Sequence, residues 1–434
     1  MAVGPLLPLG HRTEQAHIAL AVPGGNRRNL ATLLSIRPPR RIVYDCIFRA
    51  TRQKSVVKIT GIETFTLRAP LEEPFAYSQW RYTHRETTLV EVRTSEGITG
   101  WGEAYSPSAP VVAAIDRFLG PLIVGRDPRD IEDLWQFLYA RGLDYGPKGT
   151  LVAALSALDI AFWDIKSKAA NVPLYRLLGG AMTPSVPCYA TGFYFCESEP
   201  LERRFAKEAE SYASQGFTAM KVKVGLGVDR DAGLVELVRR TIGPRIGLMI
   251  DANHAYDPVT AVALGRRIEH LDITWFEEPV SPLDPDGYLE VKAKIAIPLA
   301  GGECEFTRFG FEPWFRKRAI DYAQPDLCAC GGITEGMKIA TLASLHQVHV
   351  TPHAWGSAIG QAAALHFYAA RPRHPGTLTA ERKLIECDRS ENPFRTQIAA
   401  NPVRLERGSW LLPEEPGLGV EIDRAAVERF RSTA

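Results

Sequence analysis

Asp251, Glu277, Glu303, Asp326 and His353 follow one another at intervals of 26, 26, 23 and 27 residues. A strand, a helix and two short connections take about 25 to 30 residues. A polar residue recurring at that step therefore returns each time to the same end of successive parallel strands. An open doubly wound sheet would gather such residues at one switch point. A closed barrel lets every strand deliver one to a single mouth, so the even spacing predicts closure. Lys221 and Lys223 lie one further unit upstream, 30 and 28 residues before Asp251.

The surrounding pattern has the grammar of that fold. Strands are expected over 186–190, 219–224, 246–250, 273–276, 299–301, 322–324 and 349–352, with helices such as 201–215, 229–242, 258–270 and 332–346 between them. Seven βα units and a parallel sheet make an α/β chain with a barrel close to the TIM type. Ahead of it, alternation over 58–67, 88–94 and 99–103, with a Ser95-Glu96-Gly97 turn, predicts a small antiparallel meander. Residues 109–179 read as helical. Within them 151–168 is apolar on most sides and so is expected to be a buried helix. After a turn-rich link at 413–419, a strand over 420–423 is expected to return to the meander.

Residues 1–55 differ from the rest, with nine arginines and lysines against Glu14 and Asp45. We expect residues 1–56 to be a disordered or non-native extension; a transit-type leader and a basic interaction arm are the alternatives. The net charge of +1 gives no support for a nucleic-acid or membrane surface. No apolar run reaches the roughly 18 residues of a membrane span. The seven cysteines form no CxxC pair, which argues for a reducing compartment, the cytoplasm. Cys328 and Cys330 are expected to be small buried residues beside a strand end.

Asp251, Glu277 and Glu303 each sit just past an apolar run. Three carboxylates brought together repel unless a cation neutralises them. A hard divalent ion with oxygen ligands, Mg²⁺ above all, suits them and keeps positions open for substrate oxygens. Lys221 and Lys223 share one strand face, with Val222 on the other. Mutual repulsion and a nearby cation are expected to lower the pKa of one of them into the range of a base. Asp326, in register with His353, is expected to fix the tautomer of its ring and raise its basicity. Lys223 and His353 flank the acids in strand order and so are expected to reach a substrate from opposite faces. This layout suits removal of a weakly acidic proton α to a carboxylate, where the second negative charge must be stabilised as it forms.

The motifs MKVKVG (Lys221, Lys223), IDANH (Asp251, Asn253), WFEEP (Glu277), AGGE (Glu303), QPD (Asp326) and PHAWG (His353) resemble those of the enolase superfamily, in its mandelate racemase subgroup. The resemblance covers about residues 57–430. It implies an α+β capping domain over 57–184, completed by about 406–434, and a modified (β/α)₇β barrel over 185–405. It also implies that Asp251, Glu277 and Glu303 bind Mg²⁺, that Lys223 and the His353–Asp326 dyad are the acid/base groups, and that Lys221 stabilises the substrate carboxylate with Asn253 in support. Finer stretches, among them AQPDLCACGG and DRSENPF, are similar to galactarolactone cycloisomerases and neighbouring acid-sugar dehydratases. That implies loss of an α-proton, cleavage of a ring C–O bond and a 3-deoxy-2-keto diacid as product. An acid-sugar dehydratase or a 2-hydroxyacid racemase would use the same residues, while a non-catalytic binding barrel fits them less well. Glu386, or alternatively Glu381, is expected at the substrate carboxylate, and Tyr77, Arg81 and Ser106 are the cap-loop residues expected to read the substrate. The partners implied are a small sugar acid or lactone and other copies of the chain in a homo-oligomer.

Overall fold

The computed structural model describes residues 57–181, 183–372 and 384–432. The expected extension at 1–56 and Glu381 lie outside the described residues. The first sheet is an antiparallel meander of β1 (Ile59–Ala76), β2 (Arg81–Thr94) and β3 (Thr99–Ala104). Across it lies the helix Thr150–Ala169, whose residues are mostly buried, as the all-round apolar pattern requires. The contact is close because β3 presents glycine to it. A Cβ on Gly100 would stand 2.2 Å from the Ala161 carbonyl oxygen, and one on Gly102 would stand 1.8 Å from that of Ala157.

Seven strands then follow at the expected places: β4 (Ser185–Gly192), β5 (Ala219–Lys223), β6 (Gly247–Asp251), β7 (Ile273–Glu277), β8 (Leu299–Gly301), β9 (Tyr322–Ala323) and β10 (His349–Val350). Each pairs in parallel with the next. An eighth strand, β11 (Ile385–Asp388), pairs in parallel with β4. The two ends of this array meet where Thr351 Oγ1 donates to the Leu384 carbonyl at 2.9 Å, which closes the barrel. The outer helices include Leu201–Ser214, Val228–Ile242, Pro258–Ile268, Pro285–Lys292, Thr307–Lys317, Gly332–Leu345 and Ala358–Ala370.

Strand alternation builds the lumen in layers. Tyr189, Ala219, Met249, Trp275 and Ala300 form one buried apolar cluster, with Tyr189 and Trp275 edge to face at 5.2 Å. Two residues further along four of these strands, on the same side of the pleat, stand Thr191, Lys221, Asp251 and Glu277. The hydrophobic layer is thus the floor of a polar mouth.

The end of the chain departs from expectation. β12 (Leu405–Glu406) and β13 (Ser409–Leu411) form a hairpin that adds antiparallel to β4. The segment 420–423 is not a strand. Ile422 makes a single bridge to Ala399, and the Asp423 side chain then accepts from the amides of Ala425 and Ala426, capping the helix Arg424–Phe430. The segment meets the meander through Arg424, which donates to Glu63 and Glu91, through Arg431, bridged to Leu67, and through Ser432, whose amide donates to the Thr66 carbonyl at 2.8 Å. Among the described residues no helix is long and apolar enough to cross a membrane.

Candidate active site

Register brings the polar residues together. Lys223 lies beside Asp251, and Asp251 beside Glu277, on adjacent strands. One carboxylate oxygen each from Asp251, Glu277 and Glu303 lies within 4.8 Å of the others. Lys223 Nζ donates to Asp251 Oδ2 at 2.5 Å and to Asn253 Oδ1 at 2.9 Å. Asn253 Nδ2 donates onward to Glu303 Oε1 at 3.2 Å. Lys221 donates to Glu277 Oε1 and lies 3.0 Å from Glu386 Oε1. Glu278, directly after Glu277, and Asn253, two residues after Asp251, hold left-handed backbone, φ 40° and 43°. Each such non-glycine residue costs of order 1–3 kcal/mol and is typical of functional strand ends.

The charges are strongly coupled. Burial resists ionisation of Asp251, but Lys223 and Lys221 outweigh it and bring its carboxyl down to about 2. Burial, opposed by Lys221 but assisted by Asp251, pushes Glu277 up to about 8. Around Lys221 and Lys223 thus stand the carboxyl groups of Asp251, Glu277, Glu303 and Glu386. Three convergent carboxylates are the all-oxygen donor set that a hard dication fits. The expected lowering of a lysine is not produced by the protein groups. Burial lowers both, yet Glu277 and Glu386 hold Lys221 well above the ordinary ammonium range, and Asp251 holds Lys223 above it.

Across the mouth, His353 Nδ1 is 2.6 Å from Asp326 Oδ2, and Asp326 Oδ1 accepts from the Cys328 amide at 2.7 Å. His353 Nε2 points toward Glu303, 3.6 Å from Oε2. Burial works against its charged form, but Glu303 and the Asp326 hydrogen bond raise it to about 10. A continuous polar path therefore runs from Lys223 through Asn253 and Glu303 to His353. Cys328 and Cys330 are buried beside it.

Glu386 is engaged within the protein. Its Oε1 accepts from Thr191 Oγ1 at 2.6 Å and its Oε2 from the Ala354 amide at 2.9 Å. Although burial opposes ionisation, Lys221 and His353 bring its carboxyl down to about 2. With Glu277 it is one of two close counter-ions of Lys221. Gln324 Nε2 and Trp275 Nε1 both donate to Glu277 Oε2, at 2.5 and 3.0 Å. Both were missed from the sequence, yet alternation could have found them: each sits two residues before a site residue.

The cap loops and the barrel loop at Trp355 line an open cavity of about 550 Å³, bordered by Tyr77, Arg81, Tyr82, Arg85, Tyr105, Ser106 and Trp355. The Tyr77 ring centre is 5.8 Å from Lys223 Nζ, and the Tyr105 ring is 5.3 Å from that of His353. Arg81 is committed to the exposed Glu197. Arg85, another residue not singled out from the sequence, is buried, stacks 3.6 Å over Trp355 and donates to Asp388 Oδ2 at 3.2 Å.

Comparison with known proteins gives concordant matches. Residues 60–179 match the family model described as mandelate racemase / muconate lactonizing enzyme, N-terminal domain, and residues 204–426 match enolase C-terminal domain-like. D-galactarolactone cycloisomerase of Agrobacterium fabrum is 42% identical over 375 residues, 86% of this chain and 99% of that one. Arabinonate dehydratase of Saccharolobus solfataricus is 34% identical, over 80% of this chain and 91% of its own. The solved structure of 3,6-anhydro-D-galactonate cycloisomerase from Zobellia galactanivorans superposes with a TM-score of 0.79 at 41% identity, covering 87% of this chain and all of that one.

Proposed function

The chain belongs to the mandelate racemase and muconate lactonizing enzyme group of the enolase superfamily, and from that membership we propose that it removes the α-proton of a cyclic sugar-acid carboxylate and opens the ring by β-elimination. D-Galactarolactone is the substrate this reading favours, with a 3-deoxy-2-keto diacid as product. Residues 57–184 with the C-terminal return act as the cap, and 185–405 as the catalytic barrel. The observation that carries the reading is the placement of Lys223 and His353 at opposite ends of one polar path, each beside an aromatic ring of the cap loops, Tyr77 and Tyr105.

Asp251, Glu277 and Glu303 hold Mg²⁺ in this reading, with Asn253 in support. When bound, the ion supplies positive charge beside the substrate carboxylate, where negative charge grows as the proton leaves. Lys223, as the neutral amine, takes the α-proton at Nζ; a dication held by Asp251 would oppose that carboxylate's hold on the ammonium form. Lys221 adds a fixed positive charge, held in place by Glu386. Asp326 accepts from Nδ1 of His353, which leaves the imidazolium Nε2–H to protonate the departing ring oxygen. Proton removed and proton delivered balance, so no water enters or leaves. Tyr77 and Ser106 face the sugar hydroxyls from the cap, and Arg81 reaches a distal carboxylate only by leaving Glu197. The free thiols among the described cysteines suit the cytoplasm, and the family membership supports a homo-oligomer.

The test is incubation of the purified protein and Mg²⁺ with galactarolactone, glucarolactone and the open aldaric and aldonic acids, followed by α-keto-acid detection and mass spectrometry. The expected product is a keto acid of the same mass as the lactone. A product lighter by one water, formed only from open acids, would identify the dehydratase reading. Solvent deuterium uptake with inverted starting acid would identify a racemase.

A further inference from the structure

A second cluster lies against the same three strand ends. Glu278 directly follows Glu277, Cys304 directly follows Glu303, and His254 stands three residues past Asp251. One ligand atom each from His254, Glu278 and Cys304 lies within 4.8 Å of the other two. Glu278 is 0% exposed, yet neither of its carboxylate oxygens meets a hydrogen-bond donor other than the Cys304 thiol of the same cluster. A buried carboxyl group with no partner outside its own cluster leaves its desolvation largely uncompensated. The backbone is tightly held there. The His254 amide donates to the Glu278 carbonyl at 2.8 Å, and both residues are left-handed, at φ 54° and 40°. The main chain thus fixes the two residues in place, and the Glu278 carboxylate remains for a ligand.

We propose that His254, Glu278 and Cys304 form a second metal site, for a borderline-soft divalent cation of the Zn²⁺ type. Imidazole, thiolate and carboxylate are the donors tetrahedral zinc takes, with bonds of about 2.0–2.3 Å that set neighbouring ligand atoms roughly 3.3–3.8 Å apart. The observed cluster admits that spacing. Three protein ligands leave a fourth position, and the half-buried His254 and exposed Cys304 open the site to solution. Mg²⁺, which demands oxygen ligands, would leave this set and choose the neighbouring carboxylate cage. The two sites therefore divide hard from soft ions. Because two of the ligands are bonded directly to Glu277 and Glu303, an ion here restrains the strand ends that present the oxygen cage. The site stands apart from the proposed reaction, and its test reads metal content.

The full chain, stripped with chelator, is dialysed against a large excess of Mg²⁺ with stoichiometric Zn²⁺ or Co²⁺, and bound metal is counted by mass spectrometry. The expected result is one Zn²⁺ retained per chain against the Mg²⁺. Its Kd should rise by more than about 100-fold in Cys304→Ser and in His254→Gln, since even losing a residue that only supports a ligand weakens metal sites by about 10–100-fold. Co²⁺ should give a near-ultraviolet thiolate charge-transfer band that Cys304→Ser lacks. Cys304 is exposed, so that variant should keep its melting profile. Failure to retain Zn²⁺, equal retention by both variants, or bound Co²⁺ without the thiolate band would each overturn the site, whatever the substrate screen returns.

Discussion

At the scale of single residues, the site is a set of charges that only make sense together. Lys223 is bonded to Asp251 and Asn253, and His353 to Asp326. Lys223→Ala removes the proposed base and should lower kcat by about 10²–10⁴-fold or more, measured as α-keto-acid formation; a variant of normal activity would end this mechanism. Asp326→Asn keeps the shape of the dyad but removes its charge and the hydrogen bond that fixes the ring. A loss of similar order in kcat, with KM little changed, is expected from steady-state kinetics. Asp251, Glu277 and Glu303 were legible because each follows an apolar run, Lys223 because it alternates with Val222 on a strand, and Asp326 and His353 because they keep the same step. Trp275, Gln324 and Thr191 were less legible because their roles depend on which strand lies next to theirs.

At the scale of elements, close approaches carry the fold. Gly102 lets β3 lie on the helix Thr150–Ala169, and a Cβ there would overlap the Ala157 carbonyl oxygen. Gly102→Ala should therefore cost about 3 kcal/mol or more, seen as a fall in Tm, while the solvent-facing Gly97→Ala, strained only by its φ of 77°, should cost less. His366, on the helix Ala358–Ala370, accepts from the Tyr175 amide at Nδ1 and meets the Leu418 carbonyl at Nε2, at 3.1 and 3.0 Å. Burial, against the Leu418 hydrogen bond, lowers it from 6.5 to about 4. Its neutral ring thus contributes stability that is full above pH 6.5 and is lost as pH falls toward 4, where the unfolded chain takes up the proton and the fold does not. The loss approaches about 3 kcal/mol. Denaturant midpoints across pH 7.5 to 4.5 should show this slope, and His366→Gln should flatten it. Both features escape the sequence, because an alternating Gly-x-Gly and a lone histidine in an apolar helix have no visible partners until the chain folds.

At the scale of the whole molecule, Asp388 ties the first sheet to the barrel. It sits on β11, accepts from Arg85 on β2 and from Arg395, and is bonded by Tyr194 Oη at 2.9 Å. Burial opposes its ionisation, but the two arginines hold it far below the usual carboxylate range. Its stabilisation is thus present above the ordinary Asp value and is lost only in strong acid. Asp388→Asn leaves two buried cations facing each other and should cost about 3–5 kcal/mol, measured by chemical denaturation at neutral pH. The amino-acid sequence by itself determined the seven stepped strands, the parallel order and the acids at their ends, because apolar runs and a fixed unit length are local properties that survive without neighbours. Only the tertiary structure decided what closes the barrel, since β11 meets β4 across 197 residues at Glu386 and Tyr189. It alone decided that Glu386 neutralises Lys221, that Arg81 is held by Glu197, and that His254, Glu278 and Cys304 meet. Each of those outcomes depends on which groups end up within a few ångströms of one another, and distance across the fold is not written in distance along the chain.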